Sequence, residues 1–336
     1  LSEVVFTKIV MKNQAENKIS IFYSKDWQDY ELLDTGEGEK LERFGKYTFV
    51  RPYEDAAWKK TLPEKEWNKA DGKFWSSKVG AKAGWKMSKA GFDKWEMDYK
   101  GIKFLASPTP FRHLGFFPEQ AAHWDFIENM IKKGVEGKEN SDGGRFTPEA
   151  GGKPKNSLSP RRPQFLNLFG YTGVASLFAL RAGAEVTHLD ASKQTLNWAK
   201  ENQKLNSHLG LEKLPMRVIE DDAIKFLERE IKRGNKYDAI IMDPPKFGRG
   251  PKGEVWKIED MLPKLLSAVQ KVLSDKPLFV ILTSYAIDSS SLSLGYSLEE
   301  IMKDFGGNVE SGELCVFESS NERINPLANT AVWSII

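Results

Sequence analysis

From residue 165 onward, short apolar runs alternate with longer segments in which apolar residues recur every three or four positions. The first pattern is typical of buried strands and the second of helices that pack on one face. Strands are therefore predicted at residues 165–169, 186–189, 216–219, 239–242 and 278–282, and helices at residues 175–180, 196–205, 223–232 and 261–273. Strands and helices alternating at this spacing predict an α/β fold, with a Rossmann-like, doubly wound parallel sheet that carries helices on both faces.

The first 112 residues show a different pattern. Short segments of alternating polar and apolar residues, such as residues 47–51 and 94–99, are separated by turn residues such as Lys100 and Gly101. This pattern predicts a smaller β-rich N-terminal domain, residues 1–112, built from hairpins.

The second domain is predicted to span residues 113–336. A helix is expected at residues 119–133, where apolar residues follow helical spacing. Residues 134–163 are rich in glycine, proline and serine. They are expected to form either a flexible linker or a loop that faces the substrate.

The charge distribution is uneven, although the net charge is only +2. Residues 59–103 contain 12 lysines and no arginine against 6 acidic residues, together with Trp67, Trp75, Trp85 and Trp95. Positive charge interleaved with aromatic rings is what a groove for single-stranded RNA needs. The alternative is a solvated lysine-rich face, with the tryptophans closing a small β core.

Several classes of protein are not expected. No apolar run reaches the length of a membrane span, and residues 1–14 lack the pattern of a secretory signal. The single cysteine, Cys315, excludes a disulfide within the chain and suits the reducing cytoplasm. Four scattered histidines and one cysteine offer no metal-ligand spacing. We therefore expect a cytoplasmic protein without a metal.

The first predicted strand leads into a glycine-containing turn, Phe169-Gly170-Tyr171-Thr172-Gly173. In a doubly wound sheet this turn lies beside the point where ligands bind. A Gly-x-x-Gly pair alone is weak evidence, because a tight turn between a strand and a helix that binds no ligand is the alternative. Asp190, at the end of the second strand, strengthens the ligand interpretation, because a carboxylate there can accept hydrogen bonds from ribose hydroxyls.

Asp222 follows the third predicted strand and precedes a helix that begins at Ala223. An acidic residue at this position caps the helix and favours its positive end. The same residue could also lie near the adenine ring of a bound nucleoside, and the two roles are compatible.

The fourth predicted strand ends in Asp243-Pro244-Pro245. Two successive prolines make a stiff loop, which could hold a planar acceptor while Asp243 and main-chain carbonyls accept its amino hydrogens. The alternative is a rigid turn without a ligand. Residues 247–253, which follow, are expected to be mobile and basic, and so suited to phosphate contacts.

As a set, these motifs resemble the S-adenosylmethionine (SAM)-dependent class I methyltransferases that modify bacterial large-subunit ribosomal RNA, including cytosine-C5 and guanine-N7 enzymes. The resemblance covers about residues 115–336. It is carried by five segments: Phe165-Leu-Asn-Leu-Phe-Gly-Tyr-Thr-Gly173, Leu189-Asp-Ala-Ser192, Ala199-Lys-Glu-Asn202, Asp222-Ala223 and Met242-Asp-Pro-Pro-Lys-Phe247.

The resemblance implies a SAM site. It implies that Asp190 contacts the ribose, Asp222 the adenine and Asp243 the methyl-donor end, with Asp243, Pro244 and Pro245 as the catalytic loop. An element Gly115-Phe-Phe-Pro-Glu-Gln120 also matches the family, so Gln120 is expected to reach the cofactor unless it is a surface residue that begins a helix. The complete set implied to bind SAM is Gln120, Phe169, Gly170, Tyr171, Thr172, Gly173, Asp190, Ala191, Ser192, Asp222, Ala223 and Asp243.

The sequence departs from the family in two places. The N-terminal region does not match the RNA-binding PUA module that many relatives carry. The cytosine-C5 members place a nucleophilic cysteine after the fifth strand, where this chain has Thr283-Ser284-Tyr285. A serine without an adjacent base is a poor nucleophile, whereas a thiolate forms readily. Direct transfer to a nitrogen, with no covalent enzyme intermediate, is therefore expected, and Cys315 is predicted to be a buried apolar residue.

The function predicted from the sequence is SAM-dependent methylation of a nucleic acid, with a base of ribosomal RNA as the expected acceptor. Two alternatives stay open at this point. One is a methyltransferase for a small molecule or a protein. The other is a catalytically silent RNA-binding factor that keeps the fold.

Overall fold

A computed structural model describes residues 19–75, 83–88, 93–141, 161–285 and 290–335, and only the backbone of residues 136–141. Its N-terminal part is rich in strands, as predicted. These elements are β1 (Ile19–Phe22), β2 (Tyr30–Gly36), β3 (Glu39–Phe44), β4 (Tyr47–Pro52), α1 (Glu64–Trp67), β5 (Gly72–Trp75), β6 (Gly84–Met87), β7 (Trp95–Tyr99) and β8 (Ile102–Ala106). Strands β2 to β6 form one sheet in chain order, and β7 and β8 form a separate hairpin.

The remaining elements are strands of the central sheet, the helices around it and a separate hairpin of β13 and β14. They are α2 (Ala121–Ser141), β9 (Gln164–Leu168), α3 (Val174–Arg181), β10 (Glu185–Asp190), α4 (Lys193–Leu205), β11 (Met216–Glu220), α5 (Ala223–Arg233), β12 (Ala239–Met242), β13 (Phe247–Arg249), β14 (Val255–Lys257), α6 (Ile258–Val272), β15 (Phe279–Ser284), α7 (Ser291–Met302), β16 (Asn308–Phe317) and β17 (Ile324–Ser334).

The central sheet has the strand order β1-β16-β17-β15-β12-β9-β10-β11. Successive residues of its middle strands face opposite sides, so Phe165 and Ile241 pack with α2 and α3, whereas Leu166 and Ile240 pack with α5, α6 and α7. Each fully buried side chain of this size stabilises the fold by roughly 1.5–3 kcal/mol. The arrangement confirms the predicted doubly wound α/β fold. Its switch point lies between β9 and β12. After β9 the chain adds β10 on one side, whereas after β12 it adds β15 on the other side.

The sequence had suggested a sheet that is parallel throughout, and the structure differs at one strand. β17 pairs antiparallel with both β15 and β16. Only a short turn joins β16 to β17, and a connection of that length allows neighbouring strands to pair only in antiparallel fashion.

β1 belongs to the region predicted as the N-terminal domain, yet it pairs in parallel with β16 at the edge of the central sheet. Gly312 permits this pairing, because a Cβ atom there would collide with the carbonyl group of Ser20. The division of the chain at residue 112 stays a prediction.

The predicted loop at residues 134–163 begins later than expected, because α2 continues to Ser141. The helix was expected to end at residue 133, directly before Gly134. In the structure Gly134 lies inside the helix, where a Cβ atom would come within 2.7 Å of Leu278. Close packing rather than chain termination therefore explains this glycine. Residues 142–160 lie outside the described part of the chain.

The tryptophans of residues 59–103 mostly close the β core. Trp67 and Trp95 are buried, and Trp85 packs edge-on against Phe74, whereas Trp75 is exposed. Lysines of this stretch that form ion pairs with carboxylates include Lys60, Lys69, Lys73, Lys94, Lys100 and Lys103. These contacts favour the interpretation as a solvated face over an aromatic RNA groove.

Candidate active site

The turn after β9 has an unusual backbone. Phe169 and Tyr171 adopt positive φ angles of 59° and 51°, and Gly173 has a φ of 85°. The left-handed conformation costs an aromatic residue free energy and is found where surrounding structure enforces it, often at a functional site. Here Gly173 starts α3, and the amide of Leu177 donates to its carbonyl at 3.1 Å.

The two glycines of this turn are required by packing beneath it. A Cβ atom on Gly170 would lie 2.5 Å from Nδ1 of His188, and one on Gly173 would lie 2.9 Å from Cβ of Ala199. His188 is fully buried, which lowers its pKa to about 4 although Asp190 nearby favours the charged form. The imidazole is therefore neutral and fills the space below the turn.

Asp190 is the hydrogen-bonding centre of the site. Its Oδ2 accepts from the amide of Tyr171 at 2.9 Å, and its Oδ1 accepts from the amide of Ser192 at 2.8 Å and from the hydroxyl of Thr195 at 3.0 Å. These bonds occupy three of the roughly four acceptor positions of a carboxylate. Asp190 thus fixes the turn, and a free position remains on Oδ2 for a ligand hydroxyl.

The neighbouring predicted residues begin helices. Ser192 caps α4, accepting from the amide of Thr195 at 3.4 Å, and Ala191 lies between it and Asp190. Asp222 caps α5, accepting from the amide of Lys225 at 3.0 Å, so its capping role is present in the structure.

Asp243 follows β12 and is partly buried. Burial, together with the nearby carboxyl group of Glu119, raises the pKa of Asp243 well above its usual value. Among the residues that the structure describes, its carboxylate has no hydrogen-bond or ion-pair partner. A carboxylate in this position fits a cationic ligand.

The sequence had suggested that the segment after the proline loop is mobile. In the structure it forms a hairpin that holds this loop. β13 and β14 pair antiparallel, and the indole N–H of Trp256 donates to the carbonyl of Pro245 at 2.6 Å. The ring of Trp256 also packs 5.0 Å from that of Phe169. Pro244 is buried and Pro245 is exposed. The hairpin therefore ties the proline loop to the turn after β9.

These segments enclose a cavity of about 70 Å³, called here the cofactor cavity. Its lining includes Gln120, Asp243 and the whole turn from Phe169 to Gly173, so the structure brings together most of the predicted site. The rest of the lining consists of residues to which the sequence gave no cofactor-binding role: Phe116, Phe117, Trp124, Asn167, Val174, Ala175 and Ile241. Asp190 and Asp222 lie outside this lining, at the carboxyl ends of β10 and β11.

The loop before α2 is fixed against the cofactor cavity. The hydroxyl of Thr172 donates to the carbonyl of Gly115 at 2.5 Å, and the side-chain amide of Asn202 donates to the carbonyl of Thr172 at 2.9 Å. Gln120 is buried and makes two side-chain hydrogen bonds, to the hydroxyl of Tyr285 at 3.0 Å and to Nδ1 of His123 at 2.8 Å. It is not a surface residue.

Neither Ser284 nor Cys315 is activated as a nucleophile. Ser284 is buried, and its hydroxyl has no hydrogen-bond partner among the described residues. Cys315 is also buried, as predicted, and burial together with the nearby Glu313 and Glu119 raises its pKa to about 12. The thiolate is therefore scarce at neutral pH.

In the described part of the chain, no helix is both long enough and apolar enough to span a bilayer. Within the same residues, no three His, Cys, Asp or Glu side chains are grouped as ligands for a metal ion.

The strand order, the left-handed turn after β9 and the acidic residues at the strand ends define a class I methyltransferase. A family profile described as S-adenosylmethionine-dependent methyltransferase matches residues 115–288, about half of the chain. The chain belongs to this family of enzymes, and its methyl donor is SAM.

Solved structures agree with this assignment. A SAM-dependent methyltransferase from Agrobacterium tumefaciens is 39% identical and superposes with a TM-score of 0.81, covering 97% of this chain and 98% of that one. A methyltransferase-fold protein from Streptococcus mutans is 15% identical with a TM-score of 0.63, over 92% of this chain and 76% of that one, which shows the shared fold.

Curated relatives match over shorter segments. Ribosomal RNA large subunit methyltransferase K of Neisseria meningitidis is 29% identical over 53% of this chain and 51% of its own length. Ribosomal RNA large subunit methyltransferase I of Aeromonas salmonicida is 33% identical over 36% of this chain and 30% of its own length. The chain therefore spans about half the length of these relatives or less.

Proposed function

We propose that this enzyme methylates a base of ribosomal RNA, with a nitrogen atom as the acceptor and no covalent enzyme intermediate. Two relatives that match part of this chain are named as ribosomal RNA methyltransferases. The structural observation that carries the proposal is an exposed basic hairpin directly beyond Asp243.

In this hairpin the side chain of Phe247 is 57% exposed, and the side chains of Lys246, Arg249, Lys252 and Lys257 also reach the surface. Basic side chains hold a phosphate backbone, and an exposed aromatic ring can stack on an unpaired base. RNA bound to the hairpin would place its bases beside the Asp243-Pro244-Pro245 loop.

The described residues fit SAM. Asp243, which lacks a partner, would lie beside the positive sulfonium at the methyl-donor end, and the turn from Phe169 to Gly173 would enclose the methionine part. The nucleoside would extend toward the free position on Asp190 for the ribose and toward Asp222 and Ala223 for the adenine. When bound, SAM supplies the methyl group and a sulfur leaving group, so the protein contributes mainly alignment.

The buried Cys315, with its raised pKa, supports transfer without a covalent intermediate. The proposed substrate and the absence of a disulfide at the single cysteine also support a cytoplasmic location.

Mass mapping of ribosomal RNA tests the proposal. RNA from a strain that lacks this gene should miss one methyl group on one base, and the gene restored on a plasmid should return it. Identical methylation in deleted and wild-type strains would contradict an RNA substrate and favour a small molecule or a protein.

A further inference from the structure

A groove of about 780 Å³ lies at the edge of the central sheet where β9 and β10 begin, opposite to the edge that holds the cofactor cavity. It is called here the amino-edge groove. Gln164 and Glu185, the first residues of these two strands, form part of its lining, and so does Gly234, directly after α5. The basic residues of the lining are Arg161, Arg162, Arg217 and Lys236. The groove is therefore separate from the cofactor cavity and from the hairpin of β13 and β14.

Three of these basic side chains carry charge that no carboxylate opposes. Arg161 and Arg162 are exposed, and neither guanidinium has a hydrogen-bond or ion-pair partner among the described residues. Lys236 is also exposed, and its ammonium donates to the main-chain carbonyl of Lys271 at 2.9 Å, which does not neutralise it. The amino-edge groove thus offers free positive charge to an anion.

The fourth basic side chain is held in place by a buried carboxylate. Glu230 lines the groove, is fully buried, and accepts from Arg217 at 3.2 Å and from Arg233 at 3.0 Å. Asn235 and Tyr237 each donate to the same carboxylate at 2.8 Å. Burial would raise the pKa of Glu230, but these hydrogen bonds lower it to about 2. Two arginines share this one negative charge, so positive charge remains on side chains that are 43% and 54% exposed.

The described lining of the amino-edge groove offers no ring on which a base could stack. Its aromatic residue, Tyr237, is 3% exposed, and its hydroxyl is already bonded to Glu230. The hairpin of β13 and β14 differs in this respect, because Phe247 is exposed there. Cationic side chains without aromatic neighbours contact the phosphates of a nucleic acid and carry no preference for its bases. The groove therefore fits a phosphate backbone of any sequence.

Helix α5 connects the amino-edge groove with the hairpin of β13 and β14. Near the beginning of this helix, Lys225 forms an ion pair of 2.5 Å with Glu254, in the turn of the hairpin. At its end, Arg233 lies beside the groove through its bond to Glu230. Lys225 and Arg233 are separated by about 12 Å along the helix axis. One RNA molecule that lies along α5 can therefore contact both surfaces.

We propose that the amino-edge groove is a second contact for the RNA substrate. It holds the phosphate backbone, while another part of the same RNA occupies the hairpin and the active site. The groove raises the affinity for a large folded RNA without taking part in methyl transfer, because binding at a second contact of one ligand is intramolecular. The inference rests on the proposed function, because the polyanion is the RNA that the enzyme methylates.

The double variant Arg161→Gln with Arg162→Gln tests the inference in the full chain. Filter binding measures its affinity for ribosomal RNA isolated from a strain that lacks this gene, at several salt concentrations. Each lost phosphate contact flattens the dependence of log affinity on log salt by about 0.7–0.9. The double variant should therefore flatten it by about 1.4–1.8, and should bind at least roughly tenfold less tightly at about 0.1 M salt.

Lys132→Gln with Lys303→Gln is the matched control. It removes the same charge from exposed side chains of α2 and of the residue that follows α7, away from the groove. This control should change neither the affinity nor its salt dependence. Equal losses in the two double variants would mean that net charge alone matters, which would overturn the inference.

Steady-state methyl transfer separates a binding role from a catalytic one. In Arg161→Gln with Arg162→Gln, KM for ribosomal RNA should rise at least roughly tenfold, while kcat should stay within about twofold of the wild-type value. Affinity for SAM should not change, because the groove lies at the opposite edge of the sheet. A loss confined to kcat would contradict a role in binding.

A crosslink identifies what the groove holds. Cys315 is the single cysteine of the chain and is buried, so Arg162→Cys supplies one accessible thiol for a benzophenone label. Irradiation in the presence of precursor ribosomal particles should attach the label to RNA, whereas Lys132→Cys should attach little. Crosslinks to protein in place of RNA would assign the groove to a protein partner. Loss of RNA binding in millimolar inorganic phosphate at constant ionic strength would indicate a small-anion pocket. Either result would overturn the inference.

Unchanged KM and salt dependence in Arg161→Gln with Arg162→Gln, with ribosomal RNA still methylated, would remove the groove contact and leave the proposed function intact. Failure of the proposed function would look different, because it would appear in the wild-type protein. That protein would then transfer no methyl group to ribosomal RNA, and the inference would fall with it.

Discussion

The side-chain amide of Gln120 donates a hydrogen bond to the hydroxyl of Tyr285 over 3.0 Å, joining residues 165 positions apart in the chain. Gln120 lines the cofactor cavity, and Tyr285 lines a neighbouring cavity of about 220 Å³. His123 holds the other end of the amide at 2.8 Å, and burial lowers the pKa of His123 to about 3, so it stays neutral. Hydrogen bonds between uncharged side chains therefore fix the wall between the two cavities.

Gly170→Ala should destabilise the fold by about 1–3 kcal/mol, because the added methyl group overpacks the space filled by His188. Affinity for SAM should fall as well, since the turn must shift. Urea unfolding and calorimetry measure the two effects. Gly84→Ala is the matched control, because a Cβ atom there meets only ordinary contacts at 3.7 Å from Trp75. Unchanged stability of Gly170→Ala would show that the turn tolerates a side chain.

The elements of the central sheet were predictable where hydrophobic periodicity was strong. Residues 239–242 were predicted as a strand and form β12, and residues 223–232 were predicted as a helix and lie within α5. Both depend on local pattern, which is visible in one sequence. Asp190 and the turn after β9 were recognisable as candidate ligand-binding residues for the same reason, because Asp190 ends one predicted strand and the turn ends another.

Features that depend on contacts between distant segments were not predictable. The side chains of β1 alternate between exposed and half-buried, so no apolar run marks this strand. Its position in the central sheet depends on pairing with β16. Glu119 and Tyr285 both lie in segments that the sequence singled out, but their position in one cavity with Lys40 and Arg51 was not predictable, because it depends on β3 and β4 packing against the methyltransferase site. Packing of this kind leaves no periodic trace in the sequence.

Asp190→Ala should weaken SAM binding by roughly 1–3 kcal/mol. The substitution removes an acceptor for the ribose and also leaves the amides of Tyr171 and Ser192 without their partner. Calorimetric titration with SAM measures the loss. Glu201→Ala serves as the control, because it removes an exposed ion pair with Lys94, worth about 0–1 kcal/mol, away from the cavity. Wild-type SAM affinity in Asp190→Ala would remove the ribose assignment.

Binding of SAM should release a proton from Asp243. The raised pKa means that the folded protein retains a proton that the unfolded chain loses, so stability from this group declines as pH rises from the ordinary carboxyl range toward the raised value. A sulfonium cation beside the carboxyl group would lower the pKa again.

Calorimetry in buffers of different ionisation enthalpy, at mildly acidic pH, counts the protons released. S-adenosylhomocysteine, whose sulfur is neutral, should release fewer than SAM, and Asp243→Asn should remove the difference. Equal release by both ligands in the wild-type protein would place the sulfonium away from Asp243.

No covalent adduct should form with RNA that contains 5-fluorocytosine, which traps cysteine-dependent cytosine-C5 methyltransferases. Cys315 has a pKa of about 12, and the buried hydroxyl of Ser284 lacks a hydrogen-bond partner among the described residues. Cys315→Ala should also keep nearly wild-type activity. An adduct seen on denaturing gels and lost in Cys315→Ala would restore a covalent mechanism.

The central claim, SAM-dependent methylation of ribosomal RNA, is tested most directly by transfer of a tritiated methyl group from SAM to ribosomal RNA isolated from a strain that lacks this gene. The purified full chain should label that RNA, and nuclease treatment should release the label as a nucleotide with a methylated base. Asp243→Ala should lower the rate by roughly 10²-fold while changing SAM affinity less, as expected when alignment dominates catalysis. SAM binding without any label in RNA, or label that survives nuclease and is found in protein, would contradict the account.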